Sequence, residues 1–182
     1  QFDKEAIMWE TLLQIKPNPN INDYFYANLA NYRTKTFEGY VKGYNYSKII
    51  SEKWPDQSFG WEWAMNNSIL IDTVKKDSIL VPAALALLEF AKKDTVKYTK
   101  QIYNAASQLA VYYNEKDQND KAIEYLNIML ANTKDPAIQE RIKDNIKTLE
   151  QASKQPARAT TPPRSSSGST APARKTEGSG TN

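Results

Sequence analysis

YTKQIYNAASQLAVYYNEKDQNDKAIEYLNIMLANTKDP, residues 98–136, reads as two amphipathic helices joined by a short polar turn. In the first, Ile102, Ala106, Leu109 and Tyr113 recur at steps of four, three and four, which places them on one helix face. In the second, Ala122, Leu126 and Met129 keep the same rhythm, and Tyr125 and Leu130 widen the stripe. Neither helix can bury its stripe alone, so the unit requires neighbours.

The neighbours are legible on both sides. Upstream, the pattern predicts helices over about 3–15 (Ala6, Trp9 and Leu13 on one face), 24–34 with Asp23 as its cap, and 37–53. A fourth follows over 59–71, capped by Ser58, and 72–78 reads as a polar connection. The helix over 82–93 is apolar almost all round and is expected to be the most buried, with Pro82 tolerated in its first turn. Downstream, Asp135-Pro136 starts a last helix to about 153 whose stripe is thin (Ile138, Ile142, Ile146 and Leu149). Such a helix, polar on its outer side, suits the end of a stack.

Eight helices and no strand make this an all-α chain, with a helical domain over 1–153. Residues 154–182 form a separate tail. From 155 onward there is no aromatic residue and no Leu, Ile, Val or Met, so the sequence predicts disorder there. Up to Glu150 there are 19 Lys and Arg against 20 Asp and Glu, a net of −1. The positive excess of the whole chain therefore sits in the tail, and the helical part lacks the basic surplus of a nucleic-acid-binding domain. No nucleic-acid partner is expected.

The chain has no Cys and no His. Thiolate metal sites, cysteine nucleophiles, imidazole bases and imidazole ligands are thus all excluded. Catalysis, a cofactor and a bound metal are not expected. The longest apolar run, 79–90, is too short for a transmembrane helix and contains Pro82 and Glu89. The opening QFDKEAIMWETLLQIKP reads as the second helix of a hairpin, which suggests a C-terminal fragment of a longer protein.

Pro17, Pro55, Asp94 and Pro136 each close a helix pair, at separations of 38, 39 and 42 residues. Within 98–136, Leu109-Ala110 and Tyr113 in the first helix, then Ala122, Leu126 and Met129 in the second, resemble the tetratricopeptide pattern. Trp61 sits where that pattern favours tryptophan, and Pro55 and Pro136 sit near its closing proline. Asn28, Gly43 and Met65 depart from it by standing in for small consensus residues. The resemblance covers about 3–151 and implies an α-α superhelix of three to four helix pairs with a C-terminal capping helix. The order WPDQSFGW, an Ala/Leu helix ending in AKKD, then KAIEYLNIML is similar to tetratricopeptide proteins of Bacteroidetes. That likeness implies the periplasm or cell envelope, with the cytoplasm as the alternative.

The resemblance also implies a concave, partner-binding face lined by the first helix of each pair. Carried over by position, its candidates are Phe25, Leu29, Tyr32 and Arg33, then Glu62, Asn66 and Ile69, then Asn104, Ser107, Val111 and Asn114. Asn and Ser there can hydrogen-bond an extended backbone without reading charge. Aromatic residues crowd the first half of the chain and serve either as binding anchors or as groove-filling core. Asp72-Thr73-Val74, Asp77-Ser78-Ile79 and Asp94-Thr95-Val96 match an Asp-Ser/Thr-aliphatic O-glycosylation signal of that phylum, at Thr73, Ser78 and Thr95 in expected turns. The same dipeptides also make good helix caps. The function read from all this is a non-catalytic scaffold that binds another protein or a peptide segment. A carbohydrate- or cell-wall-binding accessory protein and the regulatory domain of a larger protein are the alternatives.

Overall fold

The computed structural model describes residues 2–75 and 79–154. These form eight α-helices: α1 (Phe2–Ile15), α2 (Ile21–Arg33), α3 (Phe37–Lys53), α4 (Ser58–Lys75), α5 (Leu80–Ala91), α6 (Thr99–Glu115), α7 (Asn119–Ala131) and α8 (Pro136–Lys154). No strand occurs among the described residues, and none of their helices is long and apolar enough to cross a membrane. The tail expected to be disordered lies outside the described residues, as does Ser78. Packing is sequential: each helix lies against the next one in the chain, most extensively α3 on α4 and α6 on α7.

Two helix boundaries differ from the sequence expectation by three residues or more, each for a capping reason. Asn20, not Asp23, caps α2: its Oδ1 accepts from the backbone N–H of Asn22 at 2.9 Å and of Asp23 at 3.2 Å. Asp23 is the reciprocal partner, its Oδ2 accepting from the Asn20 N–H at 2.6 Å, so the pair forms a capping box. At the other boundary, α4 runs through Asp72 to Lys75. The Asp72 carboxylate leaves the helix and accepts from the backbone N–H groups of Ile79 at 3.0 Å and Leu80 at 2.8 Å. It thus caps the helix that follows, and the connection is shorter than the polar run suggested.

The Asp23 carboxylate also holds Lys16 Nζ at 2.6 Å, tying the Pro17–Pro19 turn to α2. This bond to Lys16 holds the Asp23 carboxyl below its ordinary value, against the opposing effect of burial. A depressed carboxyl pKa contributes stability that is present above the ordinary value near 3.9 and lost as pH falls through the folded value. Asp23→Asn should therefore cost about 1 kcal/mol at pH 7. Thermal melts should show that difference shrinking below pH 4, and an unchanged gap at pH 2.5 would refute the assignment.

The core is two clusters that meet on α6. One joins Met65 of α4, Leu87 and Phe90 of α5, and Ile102 and Leu109 of α6. The other joins Ala106 and Ala110 of α6 to Leu126 and Met129 of α7 and Ile142 of α8. As its composition predicts, α5 is heavily buried, at Leu80, Ala83, Ala84, Leu87, Leu88, Phe90 and Ala91. The ends of the stack are unlike. In α8 Ile142 alone is buried, whereas α1 exposes Phe2, Ile7, Met8 and Ile15.

Two hydrogen bonds fix the register of the first helices of successive pairs. Asn67 Nδ2 of α4 donates to Asn28 Oδ1 of α2 at 2.9 Å, and Gln101 Nε2 of α6 donates to Glu62 Oε1 of α4 at 3.1 Å. Both pairs are 39 residues apart, so α2, α4 and α6 run parallel with one constant offset. Between α2 and α4, α3 presses in at Gly43, where a Cβ would lie 2.6 Å from Asn67 Oδ1 and 2.8 Å from Asn28 Oδ1. Asn28 and Gly43, which replace small consensus residues, thus sit where three helices meet.

Candidate functional site

The face made by α2, α4, α6 and α8, the first helices of their pairs, has two halves of different character. Between α2 and α4 it is filled by rings. Phe25 meets Phe59 edge-on with centroids 5.4 Å apart, and Trp63 at 6.4 Å. Tyr32 meets Trp63 edge-on at 5.0 Å and Tyr40 at 5.8 Å. These are the offsets that ring quadrupoles favour, so the rings pack on one another. Phe25, Tyr32, Phe59 and Trp63 are half-buried. Tyr26, stacked on Trp9 at 5.1 Å, is exposed.

The charged candidates of this half bridge helices. Arg33 Nη1 lies 3.3 Å from Glu5 Oε1, fastening α2 to α1. Glu62 receives the Gln101 amide and fastens α4 to α6. Asn66 is half-buried on α4, and Asn104 is exposed on α6.

Between α4, α6 and α8 the face opens. A cleft of about 600 Å³ lies between the C-terminal halves of α4 and α6, lined by Ile69, Asp72, Thr73, Gln108, Val111 and Glu115 among others. A second, of about 300 Å³, lies between α6 and α8, with Ala110, Val111, Asn114, Asn145, Thr148 and Leu149 in its wall. Val111 is 52% exposed and lines both, so the two clefts meet at its side chain. The second cleft carries no charged side chain in its lining. A third hollow, around Asp117, Asp120, Lys121 and Ser153, lies one helical turn beyond Leu149 at the end of α8.

Of the residues singled out from sequence, the structure brings Ile69, Val111 and Asn114 to this cleft. It places Phe25, Tyr32, Arg33 and Glu62 in contacts between helices. Asn145 and Thr148 are not apparent from the sequence because the thin apolar stripe of α8 reads as that of a cap alone. Their spacing of three, flanking the stripe at Ile146 and Leu149, was the available signal. Thr73 is exposed but helical, donating to the Ile69 carbonyl at 2.8 Å, so its expected turn is absent. Thr95 is exposed in a true turn whose Asp94 Oδ1 accepts from the Lys97 N–H at 2.9 Å. Asp72 caps α5, whereas Asp94 closes the turn ahead of α6, whose own N-cap is Tyr98. Among the described residues no cluster of three metal-ligating side chains occurs.

No family model matches the chain, and no curated protein matches it. Among solved structures, it is similar to the C-terminal part of a TPR (tetratricopeptide) repeat-containing protein from Cytophaga hutchinsonii, a member of the Bacteroidetes. The TM-score is 0.67 at 20% identity, over 80% of this chain and 54% of that one. The chain thus spans about half the length of the structure it matches, and the likeness is one of fold. The fold is an all-α, tetratricopeptide-like superhelix.

Proposed function

We propose that the chain is a non-catalytic protein-interaction scaffold whose cleft between α4, α6 and α8 takes an extended, largely uncharged segment of another protein. The exposed Val111 that lines both clefts carries this reading. An extended segment presents backbone N–H and C=O groups in turn, and the carboxamides of Asn114 and Asn145 supply both donors and acceptors to meet them. Val111 gives the segment an apolar seat. Because the stack is held from helix to helix by core and hydrogen bonds, the ordering cost of binding falls on the partner segment.

The test is a selection from a displayed library of random peptides against the full chain, followed by affinity measurement on Val111→Glu. The variant side chain stays in solvent when the cleft is empty, so circular dichroism should be unchanged. Binding of selected peptides should weaken at least about tenfold, about 1.4 kcal/mol, because the segment would bury an unpaired charge. Equal affinity for Val111→Glu would place the binding surface elsewhere.

A further inference from the structure

Half of the large hydrophobic side chains exposed among the described residues stand on one helix, α1: Phe2, Ile7, Met8 and Ile15. Ile7, Met8 and Ile15 are 62%, 57% and 74% exposed. With Thr11 and Gln14, which are exposed too, they make the outward face of α1, and no exposed charge interrupts it between Lys4 and Lys16. Glu5 and Glu10, the acids within that span, turn to their neighbours. Glu5 pairs with Arg33 of α2 at 3.3 Å, and Glu10 with Lys42 of α3 at 3.1 Å. An apolar strip this long at one end of a stack marks a contact surface.

The corresponding face of α3 is covered by a helix. At the 38-residue step from Pro17 to Pro55, Met8 and Ile15 correspond to Tyr46 and Lys53. Both of these meet Tyr24 of α2: the Tyr46 and Tyr24 rings lie 6.4 Å apart, and Lys53 Nζ lies 3.4 Å from the Tyr24 hydroxyl. Two occupants from this chain are excluded by chemistry. The tail has no aromatic residue and no Leu, Ile, Val or Met to lay on the strip. At the far end of the stack, α8 exposes Glu140, Arg141, Lys143, Asp144 and Lys147. A head-to-tail contact would strip water from those charges against Ile7 and Ile15.

The strip is, however, complementary to itself. Ile7 and Ile15 stand four residues to either side of Thr11, on the same face. A two-fold axis at Thr11 between antiparallel helices sets Ile7 on Ile15 of the second copy, and the reverse, with Met8 beside Gln14. Lys4 then faces Asn18 and meets no like charge. The centre can be buried without stranding a polar group, because Thr11 Oγ1 already donates to the Ile7 carbonyl at 2.8 Å. We propose that two copies of this chain pair through α1 in an antiparallel, two-fold dimer. The contact of one helix on another is smaller than the roughly 800 Å² a side of a standard complex, so the dissociation constant is on the order of 10 µM. Because α1 and the cleft lie at opposite ends of the stack, the dimer carries two clefts at its outer ends and holds a two-segment partner by avidity. That consequence rests on the cleft being the partner site; the dimer does not.

The test is sedimentation equilibrium of the full chain from about 1 to about 300 µM, a range that brackets the expected constant. The mass should rise from one chain to two and stop there. Ile7→Glu/Ile15→Glu changes positions that are more than half exposed, so its circular dichroism should match the parent. It should stay monomeric at the highest concentration, a weakening of at least about 100-fold, because pairing would bury like charges. Ile7→Lys/Ile15→Glu fixes the register, since only antiparallel pairing brings its opposite charges together. This variant should dimerise at least about tenfold more tightly than the doubly acidic one, and about 1 M salt should remove the difference. A parent chain that stays monomeric throughout would overturn the proposal and leave the strip to a helix of another protein. Masses climbing past two chains would show head-to-tail stacking, and a doubly acidic variant that dimerises like the parent would put the contact elsewhere; either result also overturns it. Peptide binding to Val111→Glu reports on the cleft alone, so the two readings fail separately.

Discussion

Replacing Gly43 by alanine should destabilise the protein by about 2 kcal/mol, although alanine is the better helix former by about 1 kcal/mol. The added Cβ would meet two carboxamide oxygens, Asn67 Oδ1 at 2.6 Å and Asn28 Oδ1 at 2.8 Å, both on helices that cannot step aside independently. Moving either side chain breaks the 2.9 Å bond between them. Asn28 Nδ2 and Asn67 Oδ1 are already buried without a hydrogen-bond partner, so further loss falls on a site with no reserve. The measurement is a double-mutant cycle in urea. On an Asn67→Ala background, which removes the nearer oxygen and frees the Asn28 carboxamide from its bond so that it can turn aside, Gly43→Ala should cost distinctly less, giving a coupling of more than about 1 kcal/mol. Additive effects would show that the three-helix contact is looser than its distances imply.

Leu109→Ala should cost more, about 3 kcal/mol, with a distinctive spatial signature. Leu109 is fully buried on α6, the helix shared by the two core clusters. Its deletion opens a cavity where the α4–α5 pair hands over to α6–α7. In a stack whose stability is a sum of units and nearest-neighbour interfaces, weakening one interface uncouples the units on either side. Amide hydrogen exchange should therefore show α6, α7 and α8 losing protection before α2 and α3. Protection falling equally along all the helices would mean that the chain unfolds as one unit and that α6 is no seam.

The helices themselves were readable because amphipathic period and punctuation agree in this chain. Thr36 accepts from the Gly39 N–H and Trp54-Pro55 stops the helix, so α3 has the bounds its sequence predicts. Where the reading slipped, two candidate caps competed. Asn20 and Asp23 stand three apart, both can accept a backbone N–H, and the capping box uses both. Asp72 looked like the opening of a loop because nothing local shows that its carboxylate reaches forward to Ile79 and Leu80.

The candidate site was harder to read, for a different reason. Buried Asn28 and Asn67 carry the polarity of a solvent face, and only three-dimensional proximity shows that they bond to each other between α2 and α4. The aromatic residues left two readings open, binding anchors or groove-filling core, which periodicity alone does not separate; Phe25 and Tyr32 both pair with Trp63. The open cleft draws on helices from three successive units, so no single window of sequence contains it.

Sequential packing has a mechanical meaning. In a chain whose helices mainly touch their neighbours in sequence, tension applied at the two ends passes through each interface in series. Such an object is a spring: small forces alter its pitch, and larger ones detach one helix pair at a time. With a constant offset of 39 residues between corresponding positions, each detached pair would release about 130 Å of extended chain. The cleft spans three of these turns, so stretching the spring would part Val111 from its neighbours across the groove before any helix unravelled. Under the proposed function, load on the stack and its hold on a partner segment would be set by the same interfaces.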